Sequence, residues 1–187
     1  MSIYVVPPAT LAEGKVVIVA YDPAWPALFE REAQRIRSIL GARALLVEHA
    51  GSTSVPGLAA KPRIDIILAV ADSSDEAAYA PALEAAGYRL VIREPDWFEH
   101  RVFKGPDTDI NLHTFTIGAS EIDKMLRFRD WLRTHDDDRE RYQRAKLDLA
   151  AGTFEHMQDY ADAKTAVVAE ILERAGWPPE PPTPPTP

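Results

Sequence analysis

The residues best suited to chemistry lie in a short turn of small and hydroxyl-bearing residues that leads to a lysine. Residues 51–57 read GSTSVPG, Lys61 follows, and residues 64–70 form the apolar run IDIILAV with one carboxylate, Asp65. The glycines allow backbone amides to approach an anion closely, and the hydroxyls and the ammonium group add donors and charge. The segment therefore predicts a phosphate cradle, although the same hydroxyls could instead cap a helix. The predicted phosphate contacts are Gly51, Ser52, Thr53 and Lys61.

Asp65 is the one acid in this apolar run, and its neighbours on both sides favour burial. Residues two apart in a strand share a face, so Asp65 shares its face with Arg63 and Ile67. A buried carboxylate is costly unless it is paired or holds a metal ion. Two interpretations stay open at this point: an ion pair with Arg63 or Lys61, or a catalytic or metal-binding acid.

A second polar face is predicted for the strand at residues 108–116, where Asp109, Asn111 and His113 alternate with apolar residues. Three polar groups on one side of a strand indicate the lining of a cleft, and an outward, solvated face would give the same pattern. His49 directly precedes the turn, where it is either structural or catalytic. His49 and His113 are the two candidate general bases.

Two helices in the C-terminal third carry matching pairs of a tyrosine and a lysine, Tyr142 with Lys146 and Tyr160 with Lys164. The members of each pair are four residues apart, so they project from one face of a helix. Arg129 stands between aromatic residues in the helix before them. These five side chains could hold the anionic part of a ligand, and the alternative is surface salt bridging with the many acids nearby.

Composition limits the class of partner. The chain has 187 residues, a net charge of −8 and no cysteine, which excludes disulfides, thiolate metal sites and a cysteine nucleophile. Because no strongly basic block is present, duplex nucleic acid is not expected as a partner, whereas a nucleotide needs only a local positive pocket. No signal peptide and no run of roughly 20 apolar residues is found, so we expect a cytoplasmic protein without a membrane partner.

Hydrophobic periodicity and turn signals predict an α+β fold, a mixed sheet flanked by helices with a helical C-terminal third. The predicted strands are residues 16–19, 45–49, 64–70, 88–93, 97–103 and 108–116, and the predicted helices are residues 28–40, 74–86, 121–134, 137–151 and 154–175. Residues 1–176 would form a single domain. Residues 177–187 contain seven prolines, so we expect a disordered tail there, or a proline-rich ligand for a partner domain.

Several of these segments together resemble the GrpB family, a group within the nucleotidyltransferase superfamily that shares the polymerase-beta-type catalytic fold. The long block that runs from the turn through Lys61 to Asp65 is highly specific, and the resemblance covers about residues 15–175. The matching segments are YDPAWP at 21–26, EHAGSTSVPG at 48–57, KPRIDI at 61–66, LH at 112–113, FRDWLR at 128–133 and the two tyrosine–lysine pairs.

The resemblance implies a nucleotidyltransferase-like core, with the serine of the turn near phosphates and Asp65 near a divalent metal, Mg²⁺. Active members of the superfamily carry a second acid two residues after the first, where this chain has Ile67, and a third acid from a neighbouring strand, for which Asp109 is the candidate. Mg²⁺ takes near-octahedral oxygen ligands, and a two-ion site needs bridging carboxylates. Asp65 and Asp109 are therefore suited to one ion with a bound triphosphate, and poorly suited to two.

The function implied by the resemblance is transfer of a nucleotidyl group from a nucleoside triphosphate to a small acceptor. Asp65 and Asp109 would hold Mg²⁺, and His49 or His113 would serve as the base. The acceptor and phosphate contacts on the helices would come from Arg129, Tyr142, Lys146 and Lys164. The alternatives are a catalytically silent nucleotide-binding module of the same fold, or a site for a phosphate-bearing metabolite such as a coenzyme precursor.

Overall fold

The computed structural model describes residues 2–5, 16–152 and 157–178. Its strands are β1 (Ile3–Tyr4), β2 (Leu46–Ala50), β3 (Ile64–Val70), β4 (Arg89–Glu94), β5 (His100–Lys104) and β6 (Ile110–Thr116). They form one open sheet in the spatial order β1-β4-β5-β6-β3-β2. β3 and β6 are parallel and every other neighbouring pair is antiparallel, so the sheet is mixed, as predicted.

Helices flank this sheet. They are α1 (Trp25–Leu40), α2 (Ala80–Ala85), α3 (Ser120–Thr134), α4 (Asp136–Ala150), α5 (Met157–Ala163) and α6 (Thr165–Arg174). Within the described ranges, none of them is long and apolar enough to cross a membrane. The predicted α+β class with a helical C-terminal third is confirmed.

One face of the sheet is covered by α1 and α2. Phe29, Ile36 and Leu40 of α1 are buried in the same cluster as Ile66 and Leu68 of β3. The apolar stripe predicted for residues 28–40 is therefore the side of α1 that packs on the sheet. The helix begins three residues earlier than predicted, with a proline in its first turn, where a missing N–H needs no partner.

The opposite face is covered only in part, by α3. Ile67 of β3 is fully buried there against Phe115 of β6 and Ile122 of α3. Asp65 and His113 lie on the same face of the same two strands, because β3 and β6 run in parallel register and both residues fall on the side of Ile67. The exposed fraction of the side chain is 20% for His113 and 28% for Asp65. A polar strip thus lies beside the core that α3 covers.

The turn after β2 is held beneath the helical third of the chain. Val55 and Leu58 pack with Leu132 of α3, Tyr142 of α4 and Ile171 of α6. This third cluster joins three helices to the turn that precedes β3. It thereby brings residues from the helices close to the polar strip.

Two predicted elements were wrong in the first half of the chain. Residues 16–19 do not form a strand of the sheet, and Val19 makes only an isolated bridge with Ala60. The helix predicted at residues 74–86 is a short 3₁₀ helix, Glu76–Ala78, followed by the six-residue α2. A short apolar run such as residues 16–19 becomes a strand only where a neighbouring strand pairs with it, and the sequence of the run does not show whether that partner exists.

Two further boundaries were wrong later in the chain. The strand predicted at residues 97–103 begins only at His100, because Phe98 and Glu99 have φ values of 54° and 49°, which end extended structure. The helix predicted at residues 154–175 is divided into α5 and α6, which meet at Lys164, and residues 154–156 lie outside the described part. The predicted tail also lies outside it beyond residue 178, so its disorder stays a prediction.

Replacing Ile67 by aspartate would place a second acid two residues after Asp65 on the same face of β3, and we expect it to destabilise the protein strongly. The carboxylate would be buried among Ala50, Phe115 and Ile122 without a partner. The free energy of unfolding should fall by more than about 4 kcal/mol, against about 0.5–1.5 kcal/mol for Ile67→Val. Urea unfolding followed by tryptophan fluorescence measures both, and a stable Ile67→Asp variant would contradict this packing.

Candidate functional site

Asp65 lies at the centre of the polar strip. Its Oδ1 atom accepts a hydrogen bond from Asn111 Nδ2 at 2.9 Å, and His113 Nε2 lies 3.6 Å from the same oxygen. Burial would raise the pKa of Asp65, but His113, Asn111 and the Lys61 ammonium group outweigh it and hold the pKa below its usual value. Asp65 is therefore an ionised carboxylate inside the protein.

Gly51 is the residue against which the Asp65 carboxylate packs. Its φ of 67° and ψ of −172° lie in a region that is accessible essentially to glycine alone. A Cβ atom at this position would overlap Asp65 Oδ2 and lie 3.1 Å from Asp65 Cβ. Glycine is therefore required at position 51 because the backbone passes close to the Asp65 carboxylate, whether or not a bound anion also approaches the turn.

Two of the three hydroxyl groups of the turn make hydrogen bonds within the protein. Thr53 Oγ1 donates to the Arg63 carbonyl oxygen at 3.2 Å and lies 3.1 Å from His49 Nε2, and Thr53 is almost completely buried. Ser54 Oγ donates to the Gly51 carbonyl oxygen. Thr53 and Ser54 therefore make hydrogen bonds within the protein, but neither hydroxyl caps a helix, as the structural alternative had proposed. Ser52 is half-buried at the start of a 3₁₀ helix, Ser52–Ser54.

Four lysines surround this site. The described ranges contain five lysines. Four of them are close enough for the charge of one to act on the pKa of another: Lys61, Lys104, Lys146 and Lys164. The Lys61 and Lys164 ammonium groups each lie 5.0 Å from the centre of the Tyr160 ring, and Lys146 lies 4.8 Å from that of Tyr142. The two predicted tyrosine–lysine pairs therefore come together with Lys61 at one place.

Burial and mutual repulsion act strongly on these ammonium groups. Burial and then Lys164 lower the pKa of Lys61 to about 8, and burial, Lys164 and Lys61 lower that of Lys146 to about 7. Lys146 is 2% exposed and donates to the Ala59 carbonyl oxygen. Burial also lowers the pKa of Lys104, whose Nζ donates to Asn111 Oδ1 at 2.5 Å. The site is therefore locally positive in an acidic protein.

Arg129 and His49 are engaged by contacts other than those with the lysines. Arg129 binds Glu48 Oε2 at 2.8 Å, the His49 carbonyl oxygen at 2.9 Å and Asp130, so it connects α3 to β2. His49 pairs with Ile66, on the face that α1 covers, and stacks on Phe29 with ring centres 4.8 Å apart. Burial lowers the pKa of His49 to about 4. These contacts fit structural roles for both residues.

The predicted metal pair is not assembled. Asp109 is exposed and binds Arg63 Nε at 2.8 Å, whereas Asp65 contacts Asn111 and His113. In the part of the chain that is described, no group of three His, Cys, Asp or Glu side chains is arranged to hold a metal ion. Amide, imidazole and ammonium groups around one carboxylate do not match the oxygen-rich set that Mg²⁺ requires.

Two residues of the polar strip were missed by sequence reasoning. His100 of β5 is buried, its Nε2 lies 3.0 Å from His113 Nδ1, and its Nδ1 lies 2.7 Å from Glu94 Oε2. Glu94, His100, His113 and Asp65 thus lie on four neighbouring strands, β4, β5, β6 and β3. Only the strand order places them side by side, and no short-range motif carries that order.

Gly51→Ala and Gly57→Ala form a matched pair that tests the contact with Asp65. Both glycines have positive φ, 67° and 79°, but a Cβ at Gly57 meets no atom within 4 Å. We expect Gly57→Ala to cost about 1–2 kcal/mol of unfolding free energy and Gly51→Ala about 1–3 kcal/mol more, because the carboxylate must move. Chemical denaturation measures both, and equal losses would contradict the close approach.

Comparison with known proteins identifies a family and several relatives that are similar to most of this chain. The family model described as GrpB protein matches residues 15–174. A UPF0157 protein of Halalkalibacterium halodurans is 64% identical over 162 residues, which cover 87% of this chain and 83% of the relative. A dephospho-CoA kinase of Mycolicibacterium paratuberculosis is 28% identical over 202 residues, which cover 90% of this chain and 50% of the kinase.

A solved structure gives the same result for the fold. The crystal structure of the conserved protein GrpB from Enterococcus faecalis superposes with a TM-score of 0.73 at 33% identity, covering 85% of this chain and 96% of that one. The chain belongs to the GrpB family.

Proposed function

We propose that the protein binds a phosphorylated small molecule, a nucleotide or a phosphate-bearing metabolite, at the cluster of Lys61, Lys146 and Lys164. The observation that carries the proposal is the convergence of these lysines on Tyr142 and Tyr160 next to the turn. Each lysine comes from a different segment, before β3, on α4 and between α5 and α6, so the fold itself gathers the charges.

Electrostatics indicate what kind of ligand would be favoured. The ammonium groups are partly buried and repel one another, which is why the pKa values of Lys61 and Lys146 are low. A polyanion would relieve this repulsion and favour the charged forms. Asp65 attracts Lys61, but burial and the repulsion from neighbouring ammonium groups still lower the pKa of Lys61, so added negative charge would be favoured here.

A relative supports the class of ligand without fixing its identity. The kinase from Mycolicibacterium paratuberculosis is named for dephospho-CoA, a phosphate-bearing coenzyme precursor. Half of that protein matches this chain. We take a phosphate-bearing metabolite of this kind, or a nucleotide, as the ligand class to test first.

Methionine substitutions in the lysine cluster test the proposal. Lys61→Met and Lys164→Met should weaken binding of pyrophosphate, ADP or ATP about ten- to a hundredfold, because each removes a charged hydrogen-bond donor. Lys124→Met is the matched control, since Lys124 is paired with Glu121 on α3. Isothermal titration calorimetry of the full chain measures all three. Absence of binding by the wild type, or an equal loss in the control, would overturn the proposal.

The same titration has a defined pH dependence. An anion favours charged lysines, so affinity for ADP should rise as the pH falls through about 8 and towards about 7, the pKa values of Lys61 and Lys146 in the free protein. Above that range binding requires proton uptake. Titrations in buffers of different ionisation enthalpy report the number of protons taken up, and a constant affinity would contradict the lysine assignment.

Nucleotidyl transfer is the second candidate, favoured by the position of Asp65 and His113 beside the turn and the lysines. The oxygen of an acceptor hydroxyl would attack the α-phosphorus of a nucleoside triphosphate, the bond to the β-phosphate would break, and pyrophosphate would leave with the electron pair. His113 Nε2 would take the hydroxyl proton. Because Asp65 alone does not make a Mg²⁺ site, a Mg²⁺ ion that arrived with the triphosphate would depend mainly on the phosphate oxygens, and the lysines would face the remaining negative charge.

Asp65→Asn separates the two candidates without knowledge of the acceptor. If Asp65 carries Mg²⁺, the ion should strengthen ATP binding to the wild type, and this gain should be lost in the variant. If the site only binds phosphate, the variant should bind ATP as well or more tightly without metal, because a repulsive charge is gone. Calorimetry with and without Mg²⁺ for each of the four nucleoside triphosphates gives the comparison.

A further inference from the structure

The row of side chains across four strands fixes the direction of its hydrogen bonds. An ionised carboxylate can only accept hydrogen bonds. Glu94 Oε2 therefore accepts a hydrogen bond from the N–H group at His100 Nδ1, with 2.7 Å between the two atoms. The hydrogen bond from His100 holds the pKa of Glu94 below its usual value, and burial lowers the pKa of His100 to about 4. His100 is therefore neutral and its Nε2 atom carries no proton.

The next link follows from the same reasoning. His100 Nε2 can only accept, so the 3.0 Å contact with His113 Nδ1 requires a proton on that Nδ1. In the uncharged form of His113, the lone pair then lies on Nε2. That atom faces Asp65 Oδ1 at 3.6 Å, a distance too long for a hydrogen bond between them.

We propose that Glu94 and His100 are positioning residues that turn the Nε2 lone pair of His113 towards the bound phosphate compound, so that its hydroxyl group donates a hydrogen bond either to His113 Nε2 or to Asp65 Oδ1. The inference rests on the proposed function, because the phosphate of the ligand would lie at the lysines beside Asp65. It adds a substrate class: a phosphorylated alcohol in preference to a simple alkyl phosphate.

The surroundings of His113 support this assignment. Titratable groups face it from three strands: Asp65 on β3, His100 on β5 and Glu94 on β4. The His100 ring stacks on His113 with centres 5.2 Å apart and on Phe115 at 4.5 Å, so the ring that orients His113 is itself held by packing. His100, which would not touch the ligand, thus sets the orientation of His113, which would.

The tautomer of His113 tests the positioning directly in the ligand-free protein. Two-bond ¹H–¹⁵N spectra of histidine-labelled full chain in mildly alkaline buffer should show His113 protonated at Nδ1. His100→Phe keeps a stacked ring but removes the acceptor, so His113 should change to the Nε2–H form. Glu94→Gln should produce a mixture of the two forms, because the amide oxygen can still accept from His100 Nδ1 and the amide nitrogen can instead donate to it. His135→Phe is the matched control and should change nothing. Protonation of wild-type His113 at Nε2 would overturn the inference.

Ligand preference tests the hydroxyl subsite separately. Glycerol 3-phosphate should bind about threefold to tenfold more tightly than propyl phosphate, the range expected for one added hydrogen bond. The preference should be lost in His100→Phe and kept in His135→Phe. Equal affinity for the two compounds would overturn the hydroxyl subsite and leave the phosphate site standing. Failure of both compounds and of pyrophosphate to bind would overturn the phosphate proposal and the subsite with it, while the tautomer still decides the positioning.

Discussion

The ionised carboxylate of Asp65 inside the sheet is the constraint on which the other features depend. A buried charge of this kind persists only if hydrogen bonds and opposite charges compensate its lost hydration. Asn111 supplies the hydrogen bond, Lys61 supplies the charge, and Gly51 supplies the space. The turn and the two parallel strands are therefore held in one arrangement by a single side chain. This also explains why the glycine precedes the hydroxyl-bearing residues: it is the contact point between the turn and the acid.

The helical third of the chain is the second half of this arrangement. The helices pack over the turn through an apolar cluster that includes Val55, Leu58, Leu132 and Ile171. That packing brings Lys146 close to Lys61 although burial and repulsion oppose it. Hydrophobic burial thus holds charges together at an electrostatic cost that an anionic ligand would reduce. In binding proteins, such stored repulsion is a common sign of a site for the opposite charge.

Local patterns predicted the parts of the site that depend on local geometry. The four-residue spacing placed Tyr142 beside Lys146 and Tyr160 beside Lys164, and strand alternation placed Asn111 and His113 on one face. Alternation could not tell which face of β2 packs under α1, so His49 remained a candidate although it lies against Phe29. The row through His100 and Glu94 was missed because it depends on the order of four strands. Long-range pairing of this kind leaves no trace in a single short segment.

Ile67 connects the fold to the question of catalysis. On the same face as Asp65, the position two residues further along lies under α3, in contact with Phe115 and Ile122. A carboxylate at this position would need a different helix arrangement above it, because the present one leaves no water or partner for the charge. The missing second acid is therefore linked to the way α3 covers the sheet. The same helix carries Arg129, whose ion pair with Glu48 and hydrogen bond to the His49 carbonyl oxygen fix α3 to β2. The packing that excludes a second acid at this position is part of the same fold that gathers lysines near the first. Under the proposed function, the phosphate would therefore be held by lysines and not by a pair of bridged metal ions.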